Sequence, residues 1–177
     1  LIRNRFAGGN YARTNSEAVR AKLLFTPAGA DGVQVKLSYL YDRHFGNDGR
    51  GYSFSDLADA WDRRTVEANR ETYTKTSTDL GTLDIALPLG DVFTLSSVTT
   101  YSHIKTFSTY DGDLRPEEIA YGDFGTNQKT LSQEVRLTFD TGPLQGLIGG
   151  YYSRLKNPAS DSHSTFSLAP DADLWLA

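Results

Sequence analysis

Cysteine and methionine are both absent from the 177 residues of this chain. Without thiols there is no disulfide framework, no thiolate metal site and no cysteine nucleophile. The missing methionine, together with an opening of Leu1-Ile2-Arg3-Asn4-Arg5 that carries no apolar signal run, reads as a fragment or a processed product. Long hydrophobic runs are missing too. The longest uncharged stretch, 141–153, is interrupted by five Gly and Pro residues and is too short for a membrane-spanning helix. An excess of cations is also lacking: 18 Lys+Arg stand against 22 Asp+Glu, a formal net charge of -4, which leaves no electrostatic case for nucleic-acid binding.

What the chain does have is period-2 alternation, which places successive side chains on opposite faces of a strand. In 33–42 the odd positions are Val33, Val35, Leu37, Tyr39 and Tyr41, against Gln34, Lys36, Ser38, Leu40 and Asp42. Upstream, Val19, Ala21, Leu23 and Phe25 alternate with Arg20, Lys22 and Leu24. Between the two runs lies Thr26-Pro27-Ala28-Gly29-Ala30-Asp31-Gly32, rich in turn formers, which predicts a hairpin. A second hairpin follows from Leu83, Ile85 and Leu87, the turn Pro88-Leu89-Gly90-Asp91, and the run beginning at Val92 with Phe93, Leu95 and Tyr101 on one parity. A third joins Gln133, Val135, Leu137 and Phe139 through Asp140-Thr141-Gly142-Pro143 to the run 144–154.

The connections between hairpins look different. Segment 44–73 is about 30 residues and 111–128 about 18, with another long stretch from Lys156 onward. Loops beyond about 12–15 residues are uncommon in compact domains and are usually functional or disordered. Within 44–73, Ser55 is placed to cap a short helix through Leu57, Trp61 and Arg64, with Asp56 near its N-terminus. Short turns at one end and long loops at the other predict an all-β fold, an antiparallel up-and-down transmembrane β-barrel segment of about six strands. Tyr39, Tyr41, Tyr101, Tyr110, Tyr121, Tyr151 and Tyr152 lie near strand ends and in loops, where such barrels carry aromatic girdles. A soluble β-sandwich with the same aromatics in its core is the alternative from periodicity alone.

Three stretches carry a family resemblance. Ser132-Gln133-Glu134-Val135-Arg136-Leu137, then a Gly-Pro turn, then Leu147-Ile148-Gly149-Gly150-Tyr151-Tyr152-Ser153-Arg154 resembles a barrel segment of TonB-dependent outer-membrane receptors. Arg20-Ala21-Lys22-Leu23-Leu24-Phe25-Thr26-Pro27 resembles a strand entering a periplasmic turn, and Phe93-Thr94-Leu95-Ser96-Ser97-Val98-Thr99-Thr100-Tyr101 resembles another strand of that family. The resemblance spans about residues 15–155. It implies that 1–177 is part of a receptor-like barrel domain in the outer membrane of a Gram-negative bacterium. It further implies a ligand-gated active transporter that takes up a scarce nutrient complex, such as siderophore-bound iron, a cobalamin or an oligosaccharide, with energy from TonB. The implied partners are outer-membrane lipid, the TonB system and a small nutrient ligand. The departures are a missing plug domain and TonB box, six strands where such barrels have about 22, and an ending of Asp173-Leu174-Trp175-Leu176-Ala177 in place of a closing aromatic. The alternative function, from a different class, is a soluble or surface β-sandwich that binds glycan or protein.

Reactive chemistry is sparse. His44, His103 and His163 lie in three different segments, where a metal site needs converging ligands. Asp111-Gly112-Asp113 with Glu117 and Glu118 is the densest acidic patch, but it holds only a vestige of a calcium loop. No Ser/His/Asp order, phosphate-cradling glycine loop or zinc-protease motif occurs. The expectation is no enzyme, no cofactor and no catalytic or metal site. The polar parity, Arg20, Lys22, Lys36, Asp42, Asp84, Glu134 and Arg136, is expected to line a wet barrel lumen.

Overall fold

The computed structural model describes residues 3–6, 8, 13–47, 65–112, 116–117 and 120–166, with the side chains of 120 and 159–166 outside the description. The helix expected after Ser55 and the acidic residues Asp113 and Glu118 lie outside the described residues. Among the described residues there are eight strands: β1 (Arg3–Asn4), β2 (Arg13–Phe25), β3 (Gln34–Asn47), β4 (Thr65–Val66), β5 (Tyr73–Leu89), β6 (Phe93–Asp111), β7 (Ala120–Asp140) and β8 (Gln145–Phe166). Six of them form one sheet in the order β2-β3-β5-β6-β7-β8, and β1 pairs with β4 in a separate two-stranded patch. All five ladders of the large sheet are antiparallel, and β1 with β4 is parallel.

The first and third short turns are built as their residues dictate, whereas the second is confined to 90–92 because Pro88 and Leu89 pair with Thr94 and Phe93 as the end of β5. In the first, the Ala30 amide donates to the Pro27 carbonyl at 3.4 Å and the Val33 amide to the Ala30 carbonyl at 3.1 Å. Gly32 takes a φ of 76°, a left-handed value that a side chain would strain. In the third, the Gly142 amide donates to Asp140 Oδ1 at 2.8 Å, and the Thr141 amide to the Leu144 carbonyl at 3.0 Å. An Asp side chain closing onto an amide two residues on is the local bond that makes Asp a turn former.

At the other end the strands run further than side-chain alternation suggests. Residues 111–128, expected as a loop, are mostly strand: β6 reaches Asp111 and β7 starts at Ala120. The stretch after Lys156 continues β8 to Phe166, with a register irregularity between Asn127 and Lys129. Ladder bonds are made by backbone groups, so polar and glycine-rich residues pair as well as alternating ones once a neighbour fixes the register.

Directly paired residues share a face, so the register sorts the whole sheet. One face carries Val19, Leu23 and Phe25 of β2, Val35, Leu37 and Tyr39 of β3, Leu83 and Ile85 of β5, Tyr101 of β6, and Val135 of β7. Many of these are exposed, Val19 at 65%, Leu23 at 64% and Leu37 at 51%. The opposite face is dominated by Ser and Thr, with Lys36 paired to Asp84 at 2.9 Å and Arg136 to Glu134. The only buried apolar residues among those described are Val66 and Ala68, so the core is small and local. It sits at the far end from the short turns, where Asn4 Nδ2 donates to the Ala68 carbonyl at 2.7 Å. The strap 69–72 is tied down by Asn69 Nδ2 donating to the Pro116 carbonyl at 3.1 Å and Thr109 Oγ1 to the Glu71 carbonyl at 2.7 Å.

The expected transmembrane β-barrel is corrected by this topology. Among the described residues β2 pairs only with β3, β8 pairs only with β7, and no ladder joins them, so the sheet is open. Closure is what removes sheet edges, and every unpaired backbone group in hydrocarbon costs several kcal/mol. The expectations that rested on closure fall with it. These are outer-membrane lipid as a partner, the outer membrane as the location, and a transporter taking up a nutrient with energy from the TonB system. The polar parity lines no enclosed lumen. It is one face of an open sheet. An open antiparallel sheet with one apolar and one polar face is the layer type from which sandwiches are assembled, and this supports the alternative architecture better. No helix among the described residues is long and apolar enough to cross a membrane.

Candidate functional site

The residues singled out from sequence do not come together. His44 and His103 lie on opposite faces of the sheet, by their register positions opposite Ser16 and Asp79. Each has a local partner: His44 Nδ1 is 2.8 Å from Ser16 Oγ, and His103 Nε2 is 2.7 Å from Asn127 Oδ1. The side chain of His163 lies outside the description. Among the described residues no three His, Asp or Glu side chains are grouped to hold a metal ion. Asp111 is turned into the fold, 7% exposed, where its Oδ2 accepts the Arg70 amide at 3.3 Å. Glu117 is exposed and Lys36, Asp84, Glu134 and Arg136 form exposed ion pairs on the polar face. The hydrogen bond that Arg136 Nε donates to the Glu134 carboxylate, and that carboxylate's charge, hold the guanidinium above its ordinary pKa.

A concave site forms elsewhere, on the apolar face near the end away from the short turns. It is a cleft of about 390 Å³ lined by Arg13, Asn15, Glu17, Arg43, Phe45 and Lys75, with Thr14 at its margin. The register assembles it: Asn15 stands opposite Phe45, Glu17 opposite Arg43, and Phe45 opposite Lys75, so side chains of β2, β3 and β5 meet on one face. Phe45 forms the floor. The Arg13 guanidinium lies 5.0 Å from its ring centroid and Lys75 Nζ 5.8 Å. Lys75 Nζ is closer still, 4.5 Å, to the ring of Tyr73. Phe45, Tyr73 and Phe107 run as a row across β3, β5 and β6, with centroids 5.5 Å and 6.2 Å apart.

The electrostatics of the cleft are asymmetric. Arg13 is held by Glu71 at 3.0 Å, an exposed pair. Arg43 and Lys75 have no carboxylate within 4.0 Å among the described residues. Glu17, opposite Arg43 in register, is engaged by Asn15 Nδ2 at 3.3 Å instead. The site therefore presents two cations without acidic partners among the described residues, beside the half-buried Phe45 and Tyr73 rings and the exposed Phe107. That combination can bind an anionic group and an apolar ring face at the same time. It holds no nucleophile–base pair.

These residues were missed from sequence because alternation was followed only through its apolar members. Arg43 and Phe45 continue the odd parity of Val35, Leu37, Tyr39 and Tyr41 beyond the point where the loop was expected to begin. Arg13, Asn15 and Glu17 extend the parity of Val19 in the same way. Parity carried into polar residues is the signal that finds them.

No family model, no curated protein and no solved structure matches this chain. The resemblance of 132–154 to TonB-dependent receptors is corrected accordingly: no family model or solved structure supports it, and the sheet is not the closed wall of such a receptor.

Proposed function

We propose that this chain is a non-enzymatic binding module that recognises an anionic saccharide at the Arg13–Phe45–Lys75 cleft. The observation that carries this reading is the pairing of carboxylate-free Arg43 and Lys75 with the half-buried Phe45 and Tyr73 rings. Arg supplies a planar fork that meets a carboxylate or sulfate with two hydrogen bonds, and Lys adds a mobile point charge. The aromatic row supplies flat apolar surface for the C–H face of a sugar ring. An acidic peptide would use the cations equally well but has less use for a row of aromatic rings.

The test is titration of the chain with a sulfated uronate disaccharide, followed by amide shift changes. Shifts confined to β2, β3 and β5 around Phe45, weakened several-fold in Arg43→Gln and in Phe45→Ala, are the expected result. Unperturbed amides at these positions, or stronger perturbation by an acidic peptide of equal charge, would remove the saccharide reading.

A further inference from the structure

The cleft is one end of a longer feature. On the same face of the sheet the register places Arg13 on β2, Arg43 on β3, Lys75 on β5, Lys105 on β6, Lys129 on β7, and Arg154 and Lys156 on β8. Their positions drift toward the short turns from β2 to β8, with Lys75 set one row back from Arg43 and Lys105. Arg43 and Lys105 share one cross-strand row, since Arg43 pairs with Ser77 and Ser77 with Lys105. Lys129 and Lys156 share the next row toward the short turns, and Arg154 stands in the row after that, opposite Leu131. The result is a diagonal stripe from the β2 edge to the β8 edge. With strands about 4.8 Å apart and residues of one face about 6.8 Å apart along a strand, it is roughly 35 Å long.

Its charges are free to meet a ligand. Of these seven cations only Arg13 has a carboxylate within 4.0 Å among the described residues. On the opposite face Lys36 and Arg136 are neutralised by acids, while Arg20 and Lys22 have no carboxylate within 4.0 Å among the described residues. Acids do occur on the stripe's own face: Asp79 accepts the Tyr39 hydroxyl at 2.6 Å, Glu17 accepts Asn15, and the register places Asp123 and Asp161 beyond the stripe, away from the short turns. Aromatic rings flank the stripe, Phe45, Tyr73 and Phe107 on one side and Tyr39 and Tyr101 on the other.

We infer that the stripe binds one continuous polyanionic polysaccharide, a uronate- or sulfate-bearing chain lying obliquely across all six strands with one sugar unit seated in the cleft. Three features of the face fit that occupant. The cations recur at spacings of several ångströms in one oblique band, as a regularly charged polymer requires. They are on rigid strands, so little conformational freedom is lost on binding. Phe45 and Phe107 stand on either side of Lys75 in register, which suits a sugar face, and Ser77, His103 and Asn127 between the other cations can hydrogen-bond sugar hydroxyls. This inference rests on the saccharide reading of the cleft and extends it to the opposite edge of the sheet.

The experiment compares a sulfated uronate disaccharide with a dodecasaccharide of the same repeat, using the full chain and three variants. These are Arg43→Gln in the cleft, the triple change Lys129→Gln, Arg154→Gln and Lys156→Gln at the far end, and Lys22→Gln on the opposite face as a control. Engagement of several sites by one chain should make the dodecasaccharide bind roughly a hundredfold more tightly than the disaccharide. The far-end triple variant should lose most of that gain while its disaccharide affinity stays unchanged, and Lys22→Gln should alter neither. Arg43→Gln should weaken both ligands. Equal affinity for the two lengths, or a full length advantage in the triple variant, would overturn the stripe while leaving the cleft intact. Loss of disaccharide binding at the cleft with a length advantage that still depends on the far end would overturn the cleft and keep the stripe. A single-stranded oligonucleotide of matched charge that binds more tightly than the dodecasaccharide would overturn the polysaccharide assignment in favour of nucleic acid. Far-ultraviolet circular dichroism of each variant confirms that the strands are retained.

Discussion

The hydroxyl of Tyr39 donates to Asp79 Oδ1 at 2.6 Å, diagonally across the β3–β5 ladder. The bond lies on the boundary between the apolar part of its face and the cationic stripe. It keeps Asp79 occupied, and it holds the Tyr39 phenol above its ordinary pKa of 10.0, first through this hydrogen bond, then through desolvation and the negative charge of Asp79.

A pH dependence follows from that bond. The folded state holds the Tyr39 proton more tightly than the unfolded state does, so its contribution is complete below pH 10 and is lost as pH rises through the folded value. Stability should therefore decline more steeply above pH 10 in the parent chain than in Tyr39→Phe. Urea unfolding at several alkaline pH values reads this directly, and identical slopes in the two proteins would show that the bond makes no contribution.

Asn4 is the tie between the chain start and the small core. It is 6% exposed, donates to the Ala68 carbonyl at 2.7 Å and accepts the Phe6 amide at 3.0 Å. Asn4→Ala leaves a buried carbonyl and an amide without that partner, which costs about 1–3 kcal/mol. The expected local outcome is faster amide exchange at Phe6, with exchange in the β6–β7 ladder unchanged.

Gly32 illustrates strain in a turn. Its φ is 76°, and a methyl group there would meet Pro88 Cγ at 2.7 Å on the neighbouring hairpin. Gly32→Ala should destabilise the sheet by about 1–2 kcal/mol from the left-handed backbone alone. The Pro88 ring adds to that because it cannot swing away. Gly29 has a similar φ of 79° but open space around it, so Gly29→Ala should cost less. Chemical denaturation of the two variants side by side separates backbone strain from collision.

Lys36 and Asp84 form a direct cross-strand pair at 2.9 Å on the polar face, with about half of the lysine side chain exposed. Exposed pairs of this kind contribute about 0–1 kcal/mol. Lys36→Gln should shift the denaturation midpoint little, and added salt should reduce the difference further. A loss well above 1 kcal/mol would mean that the pair is shielded in a way its exposure does not suggest.

Much of the sheet was readable in the chain. Alternation at Val35, Leu37 and Tyr39, and again at Val135, Leu137 and Phe139, marks strands because a side chain's face is set by its own backbone. Turn chemistry at Pro27–Gly32 and Asp140–Pro143 marks the hairpins because a short polar side chain or a left-handed glycine acts locally. Those features need no partner strand to be legible. The strand ends were not legible: Gly122, Asn127 and Ser160 pair through backbone groups that every residue possesses, so their sequence carries no mark of the ladder.

Whether the sheet closes is a long-range matter, decided by whether β2 meets β8, and alternation within a strand is the same in an open sheet as in a barrel. That is why the barrel expected from hairpins and loop lengths did not survive the topology. The cleft has the same origin. Arg13, Phe45 and Lys75 are separated by about 30 residues at each step, and only the β2–β3 and β3–β5 registers bring them together. The identity and facing of each side chain were set within its own strand; which charges share a line across six strands depended on register, which tertiary pairing alone decides.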